Sequence, residues 1–174
     1  MQIEVASLAE SGKDFAHKYQ PGELSLEDDR VHLLDSPPRV HGRVRRDGRR
    51  VKVAGKVTAH LQLECDRCLK PVVSAVAAKF SREYVTTADY EAQQAVELSE
   101  DDLDLSVFDG AVIDIDLLVR EEMLLAAPDH VLCQRNCQGI CPTCGVDRNE
   151  TACDCQTDGI DPRWAGLKEL VNRK

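Results

Sequence analysis

The chain has 174 residues, of which 43% are apolar, and its formal net charge is -9. This size allows one domain with a hydrophobic core and a small additional module. No apolar run approaches the ~20 residues that span a membrane. Residues 1–5 show neither the basic nor the apolar region of a signal peptide. We therefore expect a cytoplasmic protein with no membrane contact.

The net charge conceals a separation of charge along the chain. Between Pro37 and Arg82 there are twelve Lys and Arg against three Asp and Glu. Between Glu83 and Val131 a single Arg stands against fourteen acidic residues. A basic block beside an acidic block predicts two surfaces with different partners, although each could also be an ordinary solvated face.

Residues 1–36 are weakly patterned, with an opening strand expected near Ile3 and Val5. The next segment, 38–65, predicts a β-hairpin. Asp47-Gly48 is typical of a two-residue type I′ turn. After it, apolar side chains occupy odd positions from Val51 to Cys65, with polar side chains between them. This period of two predicts a strand with one buried face.

The register that this turn implies places Val44 opposite Val51 and brings basic residues together on the other face. The expected opposed pairs are Arg45 with Arg50, Arg43 with Lys52, and Arg39 with Lys56. Directly opposed like charges destabilise a sheet, so such a face favours an anionic partner unless acids of the 83–131 block neutralise it.

Basic residues around this hairpin are therefore the candidate RNA contacts. They are Arg39, Arg43, Arg45, Arg46, Arg49, Arg50, Lys52, Lys56 and Arg67. Because aromatic residues make up 4% of the chain, few platforms exist for stacking bases. Any RNA contact should be mainly with phosphates.

Further along, Val72 to Tyr84 predicts a third strand, and the acidic residues 86–111 predict a mobile loop. A short strand over 111–115 should precede a helix over 117–127 that Asp116 caps and Pro128 ends. Its apolar stripe is expected to be Leu117, Leu118, Leu124 and Leu125. A second helix should follow Asp161-Pro162 near the C-terminus.

Six cysteines lie within the segment from Cys133 to Cys155, including Cys141-Pro-Thr-Cys144-Gly145, which has the form of a zinc knuckle. Thiols clustered in a reducing compartment indicate metal ligands rather than disulfides. Zinc takes four ligands, and thiolates three residues apart on a tight turn supply two. The favoured set is Cys141, Cys144, Cys153 and Cys155, and we expect about one zinc per chain.

Other cysteine arrangements remain open. Cys133 and Cys137 could replace Cys153 and Cys155, or all six could share two metals. The separate pair Cys65 and Cys68 could complete the cluster, bind a metal with other ligands, or be structural. A site of four thiolates is coordinatively closed, which favours a structural role over hydrolysis. We therefore expect no enzymatic activity, with a thiol redox or hydrolytic enzyme as the minor alternative.

Together these elements predict an α+β fold. It consists of a curved antiparallel sheet with one packed helix over residues 1–130, and a small cysteine-rich zinc knuckle with a C-terminal helix over 131–174.

Several motifs, and their order along the chain, resemble those of the YceD family. Its members are bacterial and plastid proteins associated with accumulation of large-subunit ribosomal RNA. The matching elements are Leu63–Cys68 followed by Pro71, Ile113–Ile115 with Leu118–Glu122, Leu125–Pro128, Cys133–Cys155 with Gly139, Asn149 and Glu150, Asp161–Arg163, and Leu167–Leu170. The resemblance extends over roughly residues 38–172.

The resemblance implies a part in synthesis, processing or stability of ribosomal RNA, and it implies no catalytic residue. Some members lack the C-terminal cysteines, which implies that the metal stabilises only the local structure around it. We expect a non-enzymatic factor in large-subunit biogenesis whose partner is ribosomal RNA or a pre-ribosomal particle. The alternative is a zinc-containing adaptor or chaperone that holds a basic ribosomal protein through the 83–131 block.

Overall fold

The structure is a computed structural model, and it describes residues 1–9, 11–34, 36–93 and 105–155. The strands are β1 Gln2–Glu4, β2 Lys13–Lys18, β3 His32–Leu33, β4 Arg39–Asp47, β5 Arg50–Glu64, β6 Pro71–Thr86, β7 Leu105–Phe108 and β8 Val112–Asp114. The helices are α1 Thr87–Gln93 and α2 Ile115–Ala126, with a short 3-10 turn at Val5–Ser7. The expected C-terminal helix lies outside the described residues.

The main sheet is open and has the order β2-β4-β5-β6-β7, with β3 pairing along the part of β5 that β4 does not reach. Its first strands are antiparallel, as the alternating pattern predicts. The last pair, β6 and β7, is parallel, so the expectation of a wholly antiparallel sheet is wrong. Parallel strands need a crossover connection, and α1 begins it directly after β6.

Strands β1 and β8 pair antiparallel as a separate two-stranded sheet. The hydrophobic core lies between one face of the main sheet, called the inner face, and α2 with the β1–β8 pair. The odd positions of β5 point inward, and Val53, Val57 and Leu61 are almost fully buried. This confirms the predicted apolar face. The third strand is also confirmed and runs further than expected, from Pro71 to Thr86.

Helix α2 begins two residues earlier than expected. The carboxylate of Asp114, rather than Asp116, caps it by accepting from the amides of Asp116 and Leu117 at 2.9 and 3.3 Å. The buried stripe is Ile115, Leu118, Val119 and Met123, at helical spacing. Leu117 and Leu125 are 50% and 76% exposed, so the predicted leucine stripe is only partly correct.

Two glycines in one row let phenylalanine rings cover the inner face. Gly42 pairs with Gly55 and Gly55 with Phe80, while Phe15 pairs with Gly42 on its other side. A Cβ on Gly55 would lie 2.5 Å from the carbonyl oxygen of His41 and 2.7 Å from the ring of Phe80. The row is therefore closed to any side chain at these two positions.

The acidic stretch 86–111 is not a continuous loop. Thr86 ends β6, α1 follows at once, and β7 lies beyond. The segment from Ser99 to Asp104, where mobility is predicted, lies outside the described residues. Within the described part of the chain, no helix is both long and apolar enough to cross a membrane.

Candidate metal centres and nucleic-acid interface

Four cysteines from two distant segments meet beside the turn that joins β5 to β6. They are Cys65, Cys68, Cys133 and Cys137, here called the hairpin tetrad. The turn is closed by the amide of Cys65 donating to the carbonyl of Lys70 at 2.9 Å, with Leu69 at a positive φ of 61°. The amide of Asp66 donates to the carbonyl of Val131 at 2.8 Å, and the Val131 amide donates to the Asp66 carboxylate at 2.7 Å. These bonds hold the two segments in contact.

The sulfurs of the hairpin tetrad are spaced for a tetrahedral ion. All four lie within 4.8 Å of one another. The Cys65 and Cys137 sulfurs are 3.8 Å apart, and those of Cys68 and Cys133 are 3.5 Å apart. A zinc–sulfur distance of about 2.3 Å requires tetrahedron edges of about 3.8 Å. The group could therefore hold one metal ion.

A second group consists of Cys141, Cys144, Cys153 and Cys155, here called the terminal tetrad. Its sulfurs also lie within 4.8 Å of one another. Gly145 has a φ of 74° and donates its amide to the carbonyl of Cys141 at 2.8 Å, which closes the tight turn predicted for a knuckle. This group could hold a second ion.

Backbone amides lower the pKa of one thiol in each tetrad. Burial opposes ionisation of Cys65, but the amides of Cys133, Arg67 and Cys68 outweigh it and lower its pKa to about 6. The amides of Cys144 and Thr143 likewise lower the pKa of Cys141 to about 6.

Neighbouring thiols in the same groups resist ionisation. The hydrogen bond with Cys68, together with burial, raises the pKa of Cys133 to about 12. The hydrogen bond with Cys144, together with burial, does the same for Cys155. Crowding of four sulfurs opposes their joint ionisation, and a divalent cation at the centre would remove that opposition.

The favoured sequence set thus comes together as the terminal tetrad. Cys133 and Cys137 do not share it. They join Cys65 and Cys68 instead, one of the arrangements that the sequence left open. The structure therefore contains two candidate metal centres, whereas the sequence led us to expect about one zinc. Lys70, which links the two centres, was not singled out from sequence. Asn149 was named there only as part of the family resemblance, and its contact with Cys137 was not predicted because only the fold brings it between the tetrads.

The outer face of the sheet, opposite the core, is strongly basic. The even positions of β5 lie on it together with the odd positions of β4 and β6. In register, Arg45 lies opposite Lys52, while Lys56 lies between His41 and Lys79. Sequence analysis missed Lys79, although the alternation along β6 would have placed it on this face.

Some of these charges are neutralised within the chain. Glu83 pairs with Arg50 at 3.1 Å and with Lys52 at 3.2 Å. Arg43 pairs with Asp14 at 3.0 Å. Among the described residues, no carboxylate forms an ion pair with four other cations of this face. They are Arg39, Arg45, Lys56 and Lys79.

The predicted register of the hairpin is wrong by two residues. The loop is Gly48-Arg49, and only Gly48, with a φ of 60°, adopts a positive φ. Glycine at the first loop position is typical of a type II′ turn rather than type I′. Val44 therefore pairs with Val53 instead of Val51. A shift of two leaves every side chain on its predicted face and changes only its partner.

None of the three predicted basic pairs is formed. Arg45 faces Lys52, while Arg43 faces Ala54 and Arg39 faces Thr58. Opposed cations do occur on this face, but they involve other partners.

Three further RNA candidates lie away from the outer face. Arg46 alternates to the inner side of β4 and donates to the Gly48 carbonyl at 3.2 Å. Arg49 lies in the turn and pairs with Asp89 at 3.1 Å. Arg67 lies beside the hairpin tetrad and donates to the carbonyl of Cys137 at 2.8 Å. Arg67 thus holds the segment that carries Cys137, a member of the hairpin tetrad.

The fold and these sites define a small protein built on an open sheet, with two cysteine tetrads at one end and a basic outer face. Residues 53–171 match the family described as Large ribosomal RNA subunit accumulation protein YceD. Since this match covers more than half of the chain, the protein belongs to the YceD family. The predicted resemblance is confirmed, and the description of the family refers to accumulation of large-subunit ribosomal RNA.

Relatives among curated proteins agree with this assignment. An uncharacterized protein of Mycobacterium tuberculosis is 32% identical over 121 residues, which cover 70% of this chain and 56% of that protein. The uncharacterized protein YlbN of Bacillus subtilis is 27% identical over 139 residues, covering 79% and 76%. The chain spans about half the length of the mycobacterial relatives. No solved structure was found to match it.

Proposed function

We propose that this protein is a non-enzymatic, zinc-stabilised RNA-binding factor that acts in the cytoplasm in production of the large ribosomal subunit. The outer face of the sheet contacts the phosphate backbone of ribosomal RNA or of a pre-ribosomal particle. The observation that carries the proposal is the set of cations on this face that form no ion pair with a described carboxylate, in a chain of the YceD family.

The geometry of the outer face favours phosphate contacts. Lys56 and Lys79 are directly opposite across neighbouring strands, and such a pair destabilises a free sheet. A polyanion placed over the pair converts this repulsion into attraction. The outer-face positions of β4, β5 and β6 contain no Phe, Tyr or Trp. Binding should therefore depend on charge rather than on stacking of bases.

Zinc suits both tetrads. Four cysteine sulfurs at tetrahedral spacing are the usual ligands of structural zinc, and they leave no open coordination position for water. The hairpin tetrad would join the β5–β6 turn to the segment after α2, and the terminal tetrad would close the segment that follows. Both ions are then structural, in accord with a protein that catalyses no reaction.

The adaptor alternative requires free acidic side chains. In the described part of the 83–131 block, several acids are already paired within the chain. Glu83 binds Arg50 and Lys52, Asp89 binds Arg49, and Glu122 binds Arg82 at 3.3 Å. These pairs leave less acidic surface for a basic ribosomal protein, so the RNA proposal is preferred.

Binding of large-subunit ribosomal RNA fragments at several salt concentrations tests the proposal. A variant with Arg39→Gln, Arg45→Gln, Lys56→Gln and Lys79→Gln should bind weakly and flatten the log–log salt slope by about three, at ~0.7–0.9 per lost phosphate contact. A control with Arg30→Gln, Arg46→Gln, Arg135→Gln and Arg148→Gln removes the same charge away from this face. Equal losses in both variants would refute a specific role of the outer face. If the wild-type protein binds a basic ribosomal protein but does not bind RNA, the adaptor alternative is favoured.

A further inference from the structure

A single side chain connects the two candidate metal centres. Asn149 lies between Cys144 and Cys153, in the loop that the terminal tetrad closes, but its amide reaches the other centre. Its Nδ2 donates to the Cys137 sulfur of the hairpin tetrad at 3.4 Å. Hydrogen bonds to a ligating sulfur partly neutralise the thiolate and orient it, and outer contacts of this kind tune metal affinity.

The Asn149 amide is held in this orientation on both sides. Its Oδ1 accepts from the backbone amide of Gln138 at 2.8 Å and from Nε2 of Gln134 at 3.1 Å. Its Nδ2 also donates to the Asp147 carboxylate at 2.7 Å. If the Asn149 side-chain amide were rotated by half a turn, Oδ1 would face the Cys137 sulfur and these hydrogen bonds would be lost. The donor to Cys137 is therefore fixed by the loop around it.

A second connection runs through Lys70, which follows the Cys65–Cys68 turn. Its Nζ contacts the carboxylates of Asp147 at 2.8 Å and Glu150 at 2.5 Å. Both acids belong to the loop that carries Asn149. The backbone adds a bond from the amide of Ile140 to the carbonyl of Arg67 at 2.9 Å. The loop between ligands of one tetrad is thus packed against the ligands of the other.

We propose that the two tetrads bind their metal ions cooperatively, with Asn149 as the residue that couples them. This inference rests on the metal-binding part of the proposed function. An ion in the terminal tetrad fixes both ends of the loop, so less conformational entropy is lost when Asn149 is ordered against Cys137. The hairpin tetrad then gains a preformed hydrogen bond to its thiolate. Coupling between binding sites is reciprocal, so either ion should favour the other.

Titration of the metal-free full chain under reducing conditions tests the coupling. Co²⁺ is the probe, because sulfur-to-cobalt charge-transfer absorbance reports thiolate ligation, and competition with Zn²⁺ then provides the zinc affinities. Cys144→Ser with Cys153→Ser leaves only the hairpin tetrad, and Cys65→Ser with Cys68→Ser leaves only the terminal tetrad. These two variants assign the absorbance and measure each centre alone.

The decisive variant is Asn149→Ala with all eight cysteines present. It should weaken the hairpin tetrad by about 10–100-fold, as expected for loss of an outer contact. In the Cys65→Ser, Cys68→Ser background, where only the terminal tetrad remains, Asn149→Ala should not change the metal affinity. The matched control is Asn136→Ala in the same segment, whose side chain makes no hydrogen bond among the described residues, and it should change neither affinity.

The same substitution in the Cys144→Ser, Cys153→Ser background separates coupling from simple local packing. With the loop no longer closed, hairpin affinity should already be reduced and Asn149→Ala should add little, a non-additive result in the double-mutant cycle. If both tetrads bind an ion and each has the same affinity in Asn149→Ala as in wild type, the coupling is refuted but the metal proposal stands. A chain that binds neither Co²⁺ nor Zn²⁺ would overturn the metal proposal and this inference with it.

Discussion

Lys56 on β5 and Lys79 on β6 lie directly opposite each other on the outer face of the sheet, and neither forms an ion pair with a described carboxylate. Two nearby cations do form ion pairs, because the Glu83 carboxylate bridges Arg50 and Lys52. The outer face therefore has an acid-paired group at Arg50 and Lys52 near the β4–β5 turn, and a centre at Lys56 and Lys79 where no described carboxylate forms an ion pair. The centre is where an RNA backbone should bind most strongly.

Replacing Lys79 should reveal this repulsion. Lys79→Glu places a carboxylate opposite Lys56 and should stabilise the fold by roughly 0.2–1 kcal/mol. Urea unfolding at low salt measures the change, which should shrink in high salt because exposed charges are screened. Lys13→Glu, at a position opposite Val44, makes the same charge change without an opposing cation. RNA affinity should fall in Lys79→Glu. Lower stability with unchanged RNA affinity would contradict both parts.

Glu83 should have opposite effects on stability and on RNA binding. Hydrogen bonds from Arg50 and Lys52 lower the pKa of Glu83 from its ordinary value of 4.5. A carboxyl whose pKa is lower in the folded state stabilises the fold above its unfolded pKa, and this stabilisation disappears as pH falls through the folded pKa. Glu83→Gln should thus cost about 0.2–1 kcal/mol near neutral pH, and the difference from wild type should vanish in acid.

Urea midpoints at about pH 7 and about pH 3 measure this difference, with the exposed Glu64→Gln as the control. Because Glu83→Gln removes the carboxylate that pairs with Lys52, it should also strengthen RNA binding and steepen its salt dependence. Weaker RNA binding in this variant would place the RNA elsewhere on the protein.

The glycine row should not tolerate a methyl group. In Gly55→Ala the new Cβ meets the backbone carbonyl of His41 and the ring of Phe80, so the strands must separate or the ring must move. Overpacking of this kind costs about 1–3 kcal/mol. Ala54→Gly, at the neighbouring position on the outer face, should cost about 0.5–1 kcal/mol. Thermal or urea unfolding compares the two, and a neutral Gly55→Ala would show that the row is wider than described.

Metal removal should loosen one end of the molecule and leave the sheet folded. The main core and the cluster of Cys65, Cys68 and Cys137 are separate hydrophobic groups. Treatment with a chelator and reductant should therefore expose residues 128–155 to limited proteolysis while the far-ultraviolet β-sheet signal remains. Adding zinc back should restore protection. Metal analysis of untreated protein should find two ions per chain, one for each tetrad, and loss of the sheet signal with the metal would show that the tetrads hold the whole fold.

The sequence was sufficient for the features that depend on neighbouring residues. The alternation along β5 assigned its buried face correctly, because side chains on a strand alternate whatever the partner strand. Clustering of cysteines around the knuckle identified the four members of the terminal tetrad as candidate metal ligands, because ligands that are neighbours in the chain can meet through a local turn. The order of motifs was enough to indicate the YceD family.

The tertiary structure decided which residues become partners. The turn at Gly48 and Arg49 sets the register of β4 on β5. The predicted register differs from it by two residues and leaves the alternation unchanged, so the pattern alone could not choose between them. The joining of Cys65 and Cys68 to Cys133 and Cys137 depends on the β5–β6 turn lying beside the segment after α2. No local pattern encodes such a meeting, because it arises only when α2 packs on the inner face and carries its following segment back to the end of the sheet.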